Sequence, residues 1–240
     1  MTDEPASDSD KPVLDAIAAA MEDLNLSGMR QMDRMFAQIE ALIWLRDMLQ
    51  LERPLPPTRG WAASPDLLLH AANRIADTRP KAIVEMGSGT SSIVLGACLK
   101  RFGPGTLISL EHEPEHAQRT RAEIARHGLT DYATVVDAPL GEIDVDGAPW
   151  RWYTVPMDEM PQRIDMLFVD GPPAATWPLA RYPALPVFRA RLTDSAAIYL
   201  DDGVRTDERD IAARWAREDP TFTAEPLKGE KEPWLLYRSS

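Results

Sequence analysis

The chain has 240 residues, of which 44% are hydrophobic and 27% are charged, as is ordinary for a globular protein. Its net charge of −12 argues against a nucleic-acid substrate, because phosphate backbones require a basic binding surface. Hydrophobic runs fall short of the roughly 20 residues that span a bilayer, and the acidic N-terminus is not a secretion signal. The single cysteine, Cys98, excludes an intramolecular disulfide. We therefore expect a cytoplasmic protein without nucleic-acid or membrane partners.

The N-terminal region divides into a polar tail and a helical extension. Residues 1–11 are acidic and polar, and we expect disorder there because they have little apolar surface to bury. Over residues 12–52, apolar residues recur three and four apart in two stripes, which an interruption at Asn25–Gly28 separates. The stripes consist of Leu14, Ile17, Met21 and Leu24, and of Met29, Met32, Phe36, Ile39 and Ile43. This helical extension either packs on the main domain or forms a homodimer.

A proline-rich linker, residues 53–60, follows the extension. Prolines remove backbone donors and fix φ, so this segment cannot be helical and marks a domain boundary. Ser64, Pro65 and Asp66 then have the pattern of a helix N-terminus, with a serine cap, a proline in the first turn and an early acid. We predict that residues 61–240 form the main domain.

A strand, a glycine turn and a helix follow one another between residues 81 and 100. The apolar stretch Ala82–Val84 leads into Glu85, Gly87 and Gly89, and a helical pattern begins near Ile93. Nucleotide-binding α/β sheets use this arrangement to bring the backbone close to a ligand. A Cβ atom at either glycine would clash with the turn or with the ligand.

The run from Glu85 to Thr90 resembles motif I of the class I S-adenosylmethionine (SAM) methyltransferases. A nicotinamide-binding turn has a third glycine where this chain has Ser92, and Glu85 would repel a pyrophosphate but attract the amino group of a methionine. The resemblance implies SAM as the cofactor, and an NAD oxidoreductase is the weaker alternative. The implied cofactor contacts in the turn are Glu85, Gly87, Ser88, Gly89, Thr90 and Ser91.

Strand and helix patterns alternate beyond the turn, and each strand ends in an acid. The helices are predicted at Glu115–His127 and Glu208–Glu218, and a hairpin over Phe222–Tyr237 ends the domain. The strands are predicted at Thr106–Leu110, Tyr132–Val136, Ile164–Val169 and Ala196–Leu200. We expect an α/β fold with a doubly wound, mostly parallel, seven-stranded Rossmann-like sheet.

Two of these strand ends are candidate contacts for the nucleoside of SAM. Glu111, with His112 beside it, follows the glycine turn by about twenty residues, where a carboxylate commonly binds ribose hydroxyls. The family resemblance places Asp137 and Ala138, at the end of the third strand, near the adenine.

Three aspartates at the last two parallel strand ends determine the predicted chemistry. Asp170, Asp201 and Asp202 would repel one another unless a cation or a proton neutralised them, and hard divalent cations prefer oxygen ligands. Their segments resemble the metal-ligand segments of magnesium-dependent O-methyltransferases of the catechol and macrocin groups. The resemblance implies Mg²⁺ on these three residues. Alternatively, Asp201 and Asp202 only cap a turn at Gly203.

The general base is left open by the sequence. In the similar enzymes an aspartate or a lysine follows the first metal aspartate by two or three residues, where this chain has Pro172 and Pro173. Asp170 is therefore the candidate catalytic residue as well as a candidate cofactor contact, and the other possibilities for the base are a metal-bound hydroxide or a residue from elsewhere.

Aromatic residues supply the candidate acceptor contacts. Trp61 follows the linker and is predicted to lie over the cofactor. The alternating run Trp150–Tyr153 forms either a packed hairpin or part of an acceptor pocket, with Trp152 as its candidate. Tyr182 lies in a tract that resembles the macrocin group.

The sequence thus predicts a SAM-dependent, divalent-metal-dependent O-methyltransferase that acts on a hydroxyl of a small molecule or glycan. The alternatives are a metal-independent methyltransferase and a non-catalytic partner protein that assembles through its N-terminal helices.

Overall fold

A computed structural model of the protein describes residues 11–238. Its N-terminal helix, α1 (Lys11–Leu49), is continuous over 39 residues. The interruption predicted at Asn25–Gly28 is therefore wrong, because a helix tolerates an exposed glycine at a cost of about 1 kcal/mol. The predicted disorder of residues 1–11 falls almost entirely outside the described residues.

The first half of the main domain follows the predicted alternation of helices and strands. Pro65 begins the second helix, as predicted, but the Ser64 hydroxyl has no hydrogen-bond partner among residues 11–238 and does not cap it. The elements are α2 (Pro65–Thr78), β1 (Ala82–Met86), α3 (Thr90–Phe102), β2 (Thr106–Glu111), α4 (Pro114–Arg126) and β3 (Ala133–Asp137).

The second half adds a separate hairpin and the far side of the sheet. The run Trp150–Tyr153 belongs to a two-stranded antiparallel hairpin, which confirms one of its two interpretations. The elements are β4 (Leu140–Val145), β5 (Ala148–Tyr153), β6 (Ile164–Val169), α5 (Ala184–Phe188), β7 (Leu192–Leu200), α6 (Thr206–Glu218), β8 (Phe222–Pro226) and β9 (Trp234–Arg238).

Seven strands form one sheet in the order β3-β2-β1-β6-β7-β9-β8. The first five in this order are parallel, and β9 and β8 close the edge as an antiparallel pair. The predicted seven-stranded, mostly parallel sheet is confirmed. The strand order reverses between β1 and β6, which is where doubly wound sheets bind their ligands. The motif I turn follows β1, and Asp170 follows β6.

Two apolar cores cover the faces of the sheet. One joins the C-terminal part of α1 to α2, α3 and α4 through residues such as Leu45, Leu68 and Ile93. The other joins the β4–β5 hairpin to α5 and α6 through residues such as Trp152 and Trp215. In residues 11–238, each helix is too short or too polar to cross a membrane.

Candidate functional site

The motif I turn depends on two glycines with positive φ. Gly87 has φ of 99° and Gly89 has φ of 143°, a region that side chains of L-residues rarely adopt. A Cβ atom at Gly87 would lie 3.5 Å from the main-chain oxygen of Asp170. That distance is an ordinary van der Waals contact, so the backbone conformation of the turn, rather than a clash, favours glycine at both positions.

Glu85 supports the turn from below rather than facing a ligand. Its side chain is fully buried, and its Oε2 accepts hydrogen bonds from the hydroxyls of Ser92 at 2.6 Å and Ser109 at 2.5 Å. Burial raises the pKa of Glu85 to about 7 in spite of these hydroxyl donors. The predicted direct contact with the cofactor is corrected, since Glu85 has no path to solvent.

Ser92, which replaces the third glycine of a nicotinamide motif, has a structural role here. Its Oγ accepts a hydrogen bond from the backbone N–H of Gly89 at 3.0 Å and donates one to Glu85. Ser92 therefore caps α3 and connects the turn to the buried carboxylate.

Glu111 ends β2 beside the turn, at the position that the sequence predicts. Its Oε2 accepts a hydrogen bond from the Ser88 hydroxyl at 2.8 Å, and its Oε1 accepts the backbone N–H groups of His112 and Glu113. These donors fix the orientation of the carboxylate. Its oxygens have lone pairs left to accept further hydroxyl donors.

A cavity of about 380 Å³ opens over the turn. That volume is within the range of small-molecule sites. Five predicted cofactor contacts line it, together with Trp61, which is 82% exposed. These five are Ser88, Gly89, Thr90, Ser91 and Asp170. The linker forms another wall, where the Thr90 hydroxyl donates to the Pro57 carbonyl at 3.2 Å.

The other predicted cofactor residues do not line this cavity. Asp137 is exposed and forms an ion pair with Arg121 at 2.7 Å, and Ala138 is buried in the core. The backbone N–H of His112 donates a hydrogen bond to the Glu111 carboxylate, and the centre of the His112 ring lies 6.0 Å from that of the Tyr153 ring. An adenine site near Asp137 and Ala138 stays a prediction.

The three predicted metal aspartates do converge. One carboxylate oxygen of each of Asp170, Asp201 and Asp202 lies within 4.8 Å of the other two. Asp201 and Asp202 are buried, and the Asp170 side chain is 12% exposed toward the cavity. Asp202 has φ of 59°, and its backbone N–H donates to the Asp201 carboxylate at 2.7 Å.

Cationic side chains already pair with this acid cluster. The Arg181 guanidinium lies 2.8 Å from Asp202 and 3.3 Å from Asp170, and it also donates to the Asp201 carbonyl. The Lys231 ammonium lies 3.1 Å from Asp201 and 3.4 Å from Asp202. Arg205 adds a third cation, 2.9 Å from Asp202.

The pKa shifts in the cluster follow from burial and from these pairs. Burial and the charge of Asp201 raise the pKa of Asp170 well above its usual value. Burial alone would raise the pKa of Asp202 too, but Arg181 and Lys231 outweigh it and lower that pKa. Burial would lower the pKa of Lys231, but the aspartates outweigh it and raise that pKa. The ammonium therefore stays charged.

These surroundings do not fit a divalent cation. Mg²⁺ needs free carboxylate oxygens at about 2.1 Å and usually keeps several waters. Here, Asp170, Asp201 and Asp202 each have a cationic nitrogen within 3.3 Å. Any ion that bound the same oxygens would lie beside the buried charge of Arg181 and the half-buried charge of Lys231. The predicted Mg²⁺ site is therefore not favoured by its own geometry.

Two of the three predicted acceptor contacts are corrected. Trp152 and Tyr182 are buried in the core below the β4–β5 hairpin, where an acceptor cannot reach them. The hairpin buries the inward residues of an alternating strand, and Trp152 faces that way. Trp61 alone of the three lies on the cavity.

The sequence interpretation missed several residues beside the turn. His116 and Arg119 both line the cavity, and His116 Nε2 lies 2.9 Å from the Ser88 carbonyl oxygen. The Tyr153 hydroxyl is buried with no hydrogen-bond partner within the described part of the chain. Burial, and then Glu111, raise the pKa of Tyr153 well above its usual value, so it stays a potential donor. The position of His116 in the first turn of α4, shortly after the strand that ends at Glu111, could have indicated it.

A family comparison identifies what this site belongs to. Residues 84–203, half of the chain, match the family described as "Methyltransferase domain". The chain belongs to this family. The match spans the motif I turn and all three aspartates, and it confirms the recognition of a class I SAM-dependent methyltransferase. A search of curated proteins found no match to this methyltransferase.

Solved structures share the fold of this methyltransferase at low sequence identity. The SAH-bound methyltransferase PaMTH1 of Podospora anserina is 16% identical, with a TM-score of 0.61 over 88% of this chain and 96% of that one. A Bacillus cereus O-methyltransferase in complex with SAH is 16% identical, with a TM-score of 0.58 over 85% and 91%. A putative caffeoyl-CoA O-methyltransferase from Staphylococcus aureus is 13% identical, with a TM-score of 0.57 over 90% and 100%.

Proposed function

We propose that this methyltransferase transfers the methyl group of SAM to a hydroxyl of a small molecule or glycan. The observation that carries the proposal is the single cavity that joins the motif I turn to Asp170 at the point where the strand order reverses. A cofactor on the turn and an acceptor near Asp170 would then share one enclosed space.

Four features of the site fit SAM. The positive φ of Gly89 leaves open backbone above the N-terminus of α3, and the fixed Glu111 carboxylate can accept ribose hydroxyls. Arg59 and Arg119 also line the cavity and supply positive charge for a carboxylate. The unpartnered Tyr153 hydroxyl offers a further donor at the same edge of the sheet. When bound, SAM supplies a methyl group activated by its sulfonium.

Asp170 is the group that we propose for the proton of the acceptor. Its carboxylate lies on the cavity and receives a hydrogen bond from Arg181 at 3.3 Å, which orients it. As the acceptor oxygen bonds to the methyl carbon, the bond from carbon to sulfur breaks and the hydroxyl proton passes to Asp170. Alignment of the acceptor with the methyl group supplies most of the acceleration.

Calorimetry with S-adenosylhomocysteine (SAH) tests the proposal first. We expect SAH to bind with micromolar affinity and NADH to show no binding. A chain that bound NADH instead would restore the oxidoreductase alternative. Absence of binding by both would favour a non-catalytic partner protein.

A transfer assay with radiolabelled SAM, run against panels of phenols and sugars, then tests the chemistry. Asp170→Asn should lose transfer to the best acceptor by at least about 100-fold while SAH affinity stays within about twofold. Glu123→Gln is the matched control, because Glu123 lines the same cavity. Equal transfer by Asp170→Asn and wild type would exclude Asp170 as the base.

We also propose that a second copy of the chain covers the exposed stripe of α1. From Ala19 to Ala37 the helix is exposed, and Leu24 is 74% exposed, before Gln38, Ala41 and Leu45 pack onto the domain. The stripe includes Met21, Leu24, Met32, Met35 and Ile39. Before Arg30 and Arg34, the charged residues of α1 are Lys11 at its start and three acids, Asp15, Glu22 and Asp23. An antiparallel pairing brings the acidic part of each helix against the arginines of its partner.

The molar mass in solution tests this pairing. We expect a dimer by light scattering and a monomer for Met32→Glu. Ala37→Glu places the same charge on the other side of α1 and should leave the dimer intact. A wild-type monomer at 50 times the assay concentration would contradict the pairing.

A further inference from the structure

The side chains of Arg181 and Lys231 contact the same three aspartates that would hold a metal ion in a metal-dependent site. We propose that these two side chains replace the divalent cation of a metal-dependent site, so that the cluster needs no metal. The inference deepens the proposed function, and its ionic part is independent of whether methyl transfer occurs. The poor fit of Mg²⁺ to this cluster then follows from the two cationic side chains that occupy it.

Each of the three aspartates contacts at least one of the two cationic side chains. Arg181 Nη2 contacts both Asp170 and Asp202, and Lys231 Nζ contacts both Asp201 and Asp202. A divalent cation performs the same task in a metal-dependent site, where it neutralises several carboxylates together. Two single charges on two side chains supply the same total charge here.

Both cationic side chains also have partners in the fold other than the three carboxylates. The Arg181 side chain is only 4% exposed and donates to the Asp201 carbonyl as well as to the carboxylates. Buried Glu208, from the first turn of α6, lies 3.6 Å from Arg181 Nε. Lys231 is held from its other side by the Ala62 carbonyl at 2.9 Å. Surface side chains that merely drift toward acids have no such fixed partners.

Both cationic side chains contact residues that line the cavity. Lys231 connects the cluster to Ala62, and Ala62 and Trp61 are part of the cavity wall. Arg181 holds Asp170, the one aspartate of the cluster that lines the cavity. Both cations thus act as positioning residues, because they place the wall and the base without themselves lining the cavity.

Titration with Mn²⁺, followed by electron paramagnetic resonance, tests the proposal on the full chain. We expect no binding by the wild type below about 1 mM Mn²⁺, whereas a metal site of three carboxylates would bind in that range. Lys231→Met removes one charge with little change in size. This variant should melt at a lower temperature and gain Mn²⁺ affinity by at least about tenfold.

Two further variants make the test specific. Lys228→Met changes an exposed lysine in the same connection and should neither melt earlier nor bind Mn²⁺. Asp201→Asn, added to Lys231→Met, should remove the gained Mn²⁺ binding because it removes a carboxylate of the cluster. Equal Mn²⁺ responses of Lys231→Met and Lys228→Met would overturn the proposal.

The wild-type titration decides the question even if Lys231→Met cannot be purified. Wild-type Mn²⁺ binding that Asp201→Asn abolishes would show that a metal displaces the internal cations. SAH binding, measured on the same samples without metal, separates this inference from the proposed function. Absence of SAH binding would contradict the proposed function. An Mn²⁺ site that depends on Asp201 would contradict only the proposal that Arg181 and Lys231 replace the metal.

Discussion

Two regions at the centre of the sheet, each formed by two neighbouring strand ends, stabilise buried carboxylates in different ways. Beside β1 and β2, hydroxyls and backbone N–H groups hold Glu85 and Glu111. Beside β6 and β7, the side chains of Arg181 and Lys231 hold three aspartates. Neutral donors leave the first region with a net negative charge and an open cavity. Full cations leave the second region closer to neutral, and of its three aspartates Asp170 alone lines the cavity.

The difference shows which acids are available to a ligand. Small neutral donors satisfy part of a carboxylate and leave lone pairs for an incoming hydroxyl or ammonium group. A buried guanidinium or ammonium uses the carboxylate for the stability of the fold, and removal of either partner then leaves a buried charge. Convergence of acids alone is therefore a poor indicator of a metal site.

The largest expected effect comes from the cation-held region. Arg181→Met should lower the free energy of unfolding by about 3–5 kcal/mol, because it leaves buried aspartates without their main partner. Urea denaturation measures the change. Arg209→Met, an exposed arginine on α6, should stay within about 0.5 kcal/mol of the wild type. A loss for Arg181→Met as small as that of the control would remove the distinction between the two regions.

Next is the pH dependence of the hydroxyl-held region. The pKa of Glu85 rises from 4.5 to about 7 on folding, so the folded chain keeps a proton that the unfolded chain releases. Stability should therefore fall as pH rises from 4.5 through 7, by about 3 kcal/mol from this residue at pH 8. In Glu85→Gln this part of the decline should vanish, whereas Glu142→Gln, an exposed control, should keep it. Denaturation at pH 5 and pH 8 measures both.

A smaller effect is expected at the glycine turn. Gly89→Ala forces a side chain into the φ region near 143°, with a strain of about 1–3 kcal/mol that should weaken SAH binding roughly 5- to 150-fold. Gly103 is extended and has room for a Cβ atom, so Gly103→Ala is the control. Calorimetry with SAH compares them, and unchanged affinity in Gly89→Ala would contradict a cofactor site on this turn.

The smallest effect should be at the exposed acid of β3. Asp137→Asn breaks only a surface ion pair with Arg121, so stability should change by at most about 1 kcal/mol. Its SAH affinity should stay within about twofold, whereas Glu111→Gln should lose about tenfold or more. A loss in Asp137→Asn as large as that in Glu111→Gln would support the adenine contact predicted from the sequence.

The fold and the acids at the strand ends were predictable because they depend on local patterns. Alternating strands and helices, with the glycine turn after β1, predict a parallel sheet whose carboxyl ends meet at one edge. The convergence of Asp170, Asp201 and Asp202 follows from that topology, and the structure bears it out.

The partners of those acids could not be predicted, because they come from distant parts of the chain. Arg181 follows Asp170 by 11 residues, and Lys231 follows Asp201 by 30 residues, so no strand pattern connects them. Tyr182 and Trp152 were predicted to contact the acceptor, but both side chains are buried beneath the hairpin. Glu85 had the expected charge beside the turn, yet its side chain faces the core because Ser92 and Ser109 receive it there.

The position of Lys231 also sets an order of assembly on the ribosome. Lys231 lies in the connection between β8 and β9, so Asp170, Asp201 and Asp202 are synthesised well before their ammonium partner. Before this connection is made, Arg181 and Arg205 are already available to Asp170 and Asp202, whereas Asp201 still lacks the ammonium that it contacts in the folded chain. The β8–β9 hairpin therefore completes the charge balance of the interior as well as the edge of the sheet.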